Sequence, residues 1–375
     1  VLKYRFQKGL IVVLLVCISF AIERGKVAAN SGEEHNVASF LNELYALRAN
    51  LLIHQDQVQI KQHYVSGHKT SDYALRQEFK RAEYLQAWAE KRGIRFIDAK
   101  SNIRIVRVKF EGDLARISLV QSLKLSYAYA QSNAPAQSFG IGTRHALTLK
   151  KGSHGWLLYK EWYLDPLEEN PNLISVTSDG AKLPFVPNHH PDMPSGNKYN
   201  RKRAIAYANK YAGIAWGAGN RHRYNRSYKD YTGNGGDCTN FASQVIGDPK
   251  EGGGLPMTRE WRYHFGKEGS ESWIRTDSFH QFLIRSGYGK MIARGAFRDI
   301  VRPTAKFPHG AVSKLLPGDL IAFVMHGDVD HFSVVVGFDH QGYPLVNSHT
   351  ADRYRAPFDL GWDKYTEYLL IHIQD

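Results

Sequence analysis

The sequence predicts an α+β protein in two parts. Three observations carry this. Helical periodicity opens the first part and gives way to alternating strands. A proline-rich stretch then interrupts every periodic pattern. Beyond it, helices followed by strands begin again. The chain has 375 residues, too many for one ordinary core and suited to two domains with a leader and a linker. Its 43% hydrophobic and 23% charged content belongs to a folded globular protein rather than a disordered chain. No apolar run reaches the ~18 residues of a spanning helix, so no membrane span is expected in the mature chain.

At the start, Lys3, Arg5 and Lys8 precede an apolar stretch from Gly9 to Ile22, and Val27, Ala28 and Ala29 supply small residues. That order predicts a secretory signal peptide over residues 1–29, cleaved after Ala29, and a secreted or wall-associated protein. Cys17 follows Leu14-Leu15-Val16, but Val16 fits poorly before a lipidated cysteine. The leader carries five Lys/Arg against one Glu, so a formal charge of +13 falls to +9 without it. The mature chain stays basic, which favours anionic surroundings such as a wall polymer, a lipid surface or nucleic acid without choosing among them. Of two cysteines only Cys238 remains, which excludes an intramolecular disulfide. A lone thiol in an exported protein calls for a reason.

The first domain is expected over residues 31–165. Ser31 and Glu34 form a capping-box pattern, and Val37, Phe40, Leu41, Leu44, Leu47 and Leu51 follow at helical spacing. A second helix is predicted from Asp72 to Arg92, with Leu75, Phe79, Ala82 and Trp88 inward and Gly93 as its stop. Leu123, Leu125, Tyr127 and Tyr129 alternate as a strand does, Leu147 and Leu149 likewise, and Gly155 leads into Trp156-Leu157-Leu158-Tyr159. This order, with Gly155-Trp156-Leu157-Leu158 near its end, resembles the cone-shaped NTF-two-like fold, a curved antiparallel sheet around a long helix. A spacer or docking role is the expectation here. Pro166, Pro171, Pro184, Pro187, Pro191 and Pro194 mark residues 166–197 as a linker, and His189-His190 within it lacks further ligands at metal-site spacing.

The last domain is expected over residues 198–375. Ala204, Tyr207, Ala208 and Tyr211 place one helix face inward, with Asn200 as its cap. A helix is predicted over Thr239–Ile246, and strands over Leu320–Val324, His331–Phe338 and Tyr343–His349. Cys238 stands at the start of that helix in Gly235-Gly236-Asp237-Cys238-Thr239-Asn240-Phe241. Free helix-terminal N–H groups favour a thiolate, lowering a pKa otherwise near ~8.5, and then hold an oxyanion. An inert buried cysteine is the ordinary alternative; the Gly-Gly approach and the polar neighbours Asp237 and Thr239 speak against it. A nucleophilic thiol needs a base. With 17 histidines in the chain, setting must choose, and His331 opens a strand with Ser333 on its face and Phe332, Val334 and Val336 on the other. Asn347 and His349 share a face of the next strand; whether it is the face of His331 depends on the hairpin register.

These pieces together resemble the putative amidase domain of exported bacterial proteins, related to the NlpC-type and CHAP-type wall hydrolases with papain-like folds. The resemblance rests on Tyr199-Asn200-Arg201, the run from Gly235 to Gln244, Leu255-Pro256-Met257, Pro317-Gly318-Asp319-Leu320, Asp330-His331, and Leu345 through Arg353. Val245 and Ile246 stand where many relatives carry a second cysteine. The resemblance implies a papain-like fold, nucleophile Cys238, base His331 and a polar third residue, assigned to Asn347 with His349 in reserve. It implies a thiol-dependent amidase or peptidase acting through an acyl-enzyme on a peptide or amide substrate, with wall peptides (peptidoglycan) as the substrate class. The alternative is a non-catalytic wall- or ligand-binding protein that keeps the fold. Arg221, Arg223, Tyr224, Arg226, Tyr228 and Tyr231 interleave charge with aromatics and read as a cleft wall or solvated loop; a nucleic-acid partner is not expected. No phosphate loop or spaced metal cluster appears, so no cofactor and no metal are implied.

Overall fold

A computed structural model describes residues 31–167, 170–177, 183, 185–187, 189, 191, 193–194, 198–217 and 224–375. The expected leader, Arg221 and Arg223 lie outside them. Helix α1 (Ser31–His54) buries Val37, Leu41, Leu44 and Leu51, the face its spacing predicts. After a short α2 (Val58–Lys61), α3 (Lys69–Lys91) begins three residues before the expected Asp72 and stops before Gly93. The inner face of α3 is not purely apolar. It buries Glu78 and Arg81 beside Ala82, Leu85 and Trp88. Arg48 of α1 forks onto Glu161, and Tyr163 donates to Glu78 at 2.8 Å, so buried charges meet opposite charge or a donor as a low-dielectric interior demands.

Strands β1 (Ile94–Glu111), β2 (Leu114–Tyr129), β3 (Gln137–Gly152) and β4 (Gly155–Tyr163) form an antiparallel meander. The second part contributes α4 (Arg201–Lys210), α5 (Cys238–Gly247), α6 (Glu271–Ile274), α7 (Thr276–Ser286), β5 (Gly289–Ala296) and α8 (Phe297–Val301). It ends with β6 (Leu320–Met325), β7 (Asp328–Phe338), β8 (Pro344–Ser348), β9 (Asp352–Pro357) and β10 (Glu367–Ile373). Asn200 caps α4 by accepting the Arg203 N–H at 3.0 Å. The mixture of helices with antiparallel sheet is the α+β class the sequence predicts.

The two parts are joined through one sheet, ordered β1-β2-β3-β9-β8-β7-β6-β10-β5 with β4 on β3. Gly140, Ile141 and Gly142 of β3 pair with Tyr354, Arg353 and Asp352 of β9. One core cluster holds α1, α3 and the meander together with Phe323, Val335, Phe358, Tyr368 and Leu370. The other face of β6, β7 and β10 packs Phe332, Val334 and Leu369 against Phe241, Val245 and Ile246 of α5. Buried polar ties cross the same boundary: Arg92 pairs with Asp359 at 2.6 Å, and Tyr127 donates to Asp339 at 2.8 Å. Part of the expected linker is packed down rather than free. Ile174 and Ser175 are buried, and the Ser175 carbonyl accepts from Arg92. No helix among the described residues is long and apolar enough to cross a membrane.

Candidate active site

Gly235 and Gly236 take φ of +96° and +122°, a left-handed approach that turns the chain into α5. Cys238 is the first residue of that helix. Asp237, the residue before the helix, makes no side-chain cap bond. Its Oδ1 accepts from the Tyr231 N–H (2.9 Å) and Asn240 Nδ2 (2.8 Å), and its Oδ2 lies 2.6 Å from His349 Nδ1. Cys238 is 7% exposed, and its Sγ has the Thr239 hydroxyl at 3.8 Å. Burial pushes the thiol up to about 11, with the charges of Asp330 and Asp237 adding; the Phe332 N–H and the Thr239 hydroxyl work against the rise. As the thiol is packed, burial works against the lowering expected from the helix terminus. Desolvation of a thiolate outweighs a few partial charges.

His331 lies on β7 opposite Phe323 of β6. The Phe332 N–H that faces Cys238 Sγ belongs to the next residue, so thiol and imidazole reach the same stretch of strand. They come from different sides. Helix α5 packs on the Phe332 face, whereas the His331 ring lies between Phe323 (5.7 Å) and Trp362 (5.5 Å) on the other. Among the described residues, His331 Nε2 has no hydrogen-bond partner, nor has Ser333 Oγ on the same face. Burial first, and then the nearby Arg353 cation, push the imidazole down to about 3, so it is neutral.

Asn347 is not brought to His331. The hairpin from β7 to β8 has five residues between Phe338 and Pro344, but a bulge at Val336 shifts the register so that Asn347 opposes Val334. A one-residue slip exchanges the faces of a strand, and Asn347 turns toward α4. There its Nδ2 donates to the Ala208 carbonyl (2.9 Å) and Asn209 Oδ1 (3.0 Å), and its Oδ1 accepts from the Arg355 N–H at 2.6 Å. With its amide fully engaged, it does not orient His331. The reserve, His349, faces α5. Its Nε2 lies 2.6 Å from the Tyr211 carbonyl, and its ring stacks on Phe241 at 4.1 Å. Burial alone would lower its pKa; the bond and charge of Asp237, with Asp352, outweigh this and raise it. Both nitrogens face acceptors, as in an imidazolium.

The recess beside His331 is nearly closed. It is lined by Leu164, Asp165 and Pro166 from the first part and by Thr350, Ala351, Arg353 and Trp362, and holds only about 10 Å³ of water-sized space. Arg353 Nη2 donates to the Pro166 carbonyl at 2.7 Å, and Asp165 lies 3.4 Å from Arg81 Nε. Gly361 (φ +82°) must be glycine for Pro166 to sit here, since a Cβ would stand 2.0 Å from its carbonyl oxygen. This strap had no signal in the sequence, because 165 residues separate it from His331. Asp237 was legible only as a neighbour of the thiol. Of the Arg/Tyr loop, Tyr228 and Tyr231 are buried. Among the described residues no group of three or more His, Cys, Asp or Glu side chains is placed to hold a metal ion. What the arrangement offers chemically is a thiol at a helix terminus and a neutral imidazole on an adjoining strand.

Residues 198–371 match the family described as "Putative amidase domain", which points the second part of the chain to amide-cleaving hydrolysis. No curated protein matches the chain. Among solved structures, the intermembrane space region of the chloroplast protein ARC6 is 13% identical over 36% of this chain and 96% of that one, with a TM-score of 0.25. A function-unknown protein from Mycobacterium tuberculosis is 15% identical over 40% and 85%, also at 0.25.

Proposed function

We propose that this chain is an exported, thiol-dependent amidase or peptidase with Cys238 as nucleophile and His331 as base. In this reading residues 31–165 form an NTF-two-like unit, and residues 198–375 a papain-like one related to the NlpC-type and CHAP-type hydrolases. One observation supports it most: the thiol that opens α5 lies against the Phe332 N–H, one residue from His331. In the reaction, His331 takes the Sγ proton, the thiolate adds to an amide carbonyl, and α5 N-terminal N–H groups hold the oxyanion. His331 returns the proton to the leaving amine, and water releases the acyl group. As packed, both partners are neutral and lie on opposite faces of β7, so this reading requires the His331 end of the strand to rearrange toward α5 and water to enter before proton transfer. Export and a basic mature chain favour wall peptides as substrates.

A second reading, a wall- or ligand-binding protein that keeps the fold without catalysis, is favoured by the burial of both groups and by the unpartnered Nε2 of His331. Turnover separates the two. Wall peptides and simple amides are to be incubated with wild type, Cys238→Ala and His331→Ala. The enzyme reading expects hydrolysis by wild type and a loss of at least about a hundredfold in each variant. Equal binding by all three with no hydrolysis supports the second reading.

A further inference from the structure

The outward face of the meander meets the second part at Ser122, which donates to the Ile214 carbonyl, and at Arg144, which pairs with Asp352. Cross-strand pairing sets Lys109 beside Arg116, and Thr148 and Lys160 continue that row. The next row runs Arg107, Ser118, Ala146 and Trp162, the next Arg104, Val120 and Arg144, and beyond it Lys100 pairs with Lys124. Arg116 is 63% and Trp162 52% exposed, and small residues between them leave the middle of the face open. Among the described residues, three carboxylates serve the face: Asp98 near Lys100, Glu111 shared by Lys109 and Arg116, and Asp352 beside Arg144. Among the described residues, Arg104, Arg107, Lys124 and Lys160 have no carboxylate in ion-pair reach.

Charged side chains on an edge strand guard against strand addition, and β1 is such an edge. That reason does not extend inward, where Arg116 and Lys124 stand on β2. Like charges directly opposite, as in Lys100–Lys124 and Lys109–Arg116, destabilise a sheet. The cations also follow the strand: from Lys100 to Lys109 at roughly 3.3 Å per residue they form a band about 30 Å long. A band of that shape complements a line of negative charge better than a disc-shaped headgroup patch.

We propose that this face binds a linear polyanion carrying regularly spaced phosphates, and so holds the protein on an anionic polymer. The test uses the full mature chain with long-chain inorganic polyphosphate, titrated between 50 and 200 mM salt on the scale where counterion release is read. Arg104→Glu/Arg107→Glu/Lys124→Glu changes three solvent-facing cations; Lys250→Glu/Lys267→Glu/Lys306→Glu makes the same change of net charge on the second part. The first triple variant is expected to bind at least about tenfold more weakly, with the slope of log K against log salt reduced by roughly two to three. The second is expected to keep wild-type slope and most of its affinity. Circular dichroism confirms that both fold. Equal losses in the two variants, absence of binding by wild type, or binding to phosphatidylglycerol vesicles but not to polyphosphate would each overturn the assignment.

Discussion

Replacing His349 by Ala removes the clamp that holds the turn into α5. The imidazole bonds Asp237 and the Tyr211 carbonyl, each at 2.6 Å, and stacks on Phe241. Removing one member of a buried ion pair costs about 3–5 kcal/mol. Asp237 keeps the Tyr231 N–H and Asn240 Nδ2 as donors, which places the electrostatic loss near the low end. The lost stacking adds about 1 kcal/mol, for a total of about 4 kcal/mol. Urea unfolding followed by tryptophan fluorescence reads this, and a double-mutant cycle with Asp237→Asn should return a coupling of at least about 1 kcal/mol. The sign with pH follows from the raised pKa of His349. The folded state binds the proton more tightly, so the stabilisation is full below the unfolded value of about 6.5 and is lost as pH rises through the folded value. The wild-type advantage over His349→Ala should therefore shrink in alkali. Among the described residues, Asp237, Asp352, Tyr224 and the Tyr211 carbonyl face the ring. A cost below about 1 kcal/mol, additivity in the cycle, or an advantage that grows with pH would refute the clamp.

Three further outcomes are expected. His331 is buried neutral with a pKa near 3, so the unfolded chain alone binds its proton between about pH 6.5 and 3, and stability falls as pH falls through that window. At pH 4 the loss is roughly 3 kcal/mol, and acid titration of unfolding in His331→Phe should lack it. Asn347→Ala strands the Arg355 N–H and the Ala208 carbonyl and should cost about 2–4 kcal/mol in urea, while the pH profile of Cys238 alkylation stays as in wild type. Gly361→Ala drives a Cβ into the Pro166 carbonyl and strains a left-handed backbone, so thermal unfolding should report a loss of more than about 1 kcal/mol.

Much of the fold was readable from local patterns. The apolar stripe from Val37 to Leu51, the alternation from Leu123 to Tyr129 and the run from Leu320 to Val324 place α1, β2 and β6, because periodicity records which face is buried. The start of α5 at Cys238 and the Asn200 cap are legible for the same reason: caps and glycine turns act within a few residues. Tertiary structure alone decided the rest. A bulge at Val336 turned Asn347 from His331 toward α4, and no hydrophobic pattern announces one extra residue in a strand. Burial, not helix position, set the ionisation of Cys238 and His331, since desolvation depends on everything packed around a group. The pairing of Asp237 with His349, 112 residues apart, and the Leu164–Pro166 strap over the recess arise from chain closure over long loops. By itself the sequence determined which segments form helices and strands and which residues are chemically able. The packed chain decided which of them meet, because meeting depends on register and desolvation, properties of the whole sheet rather than of any segment.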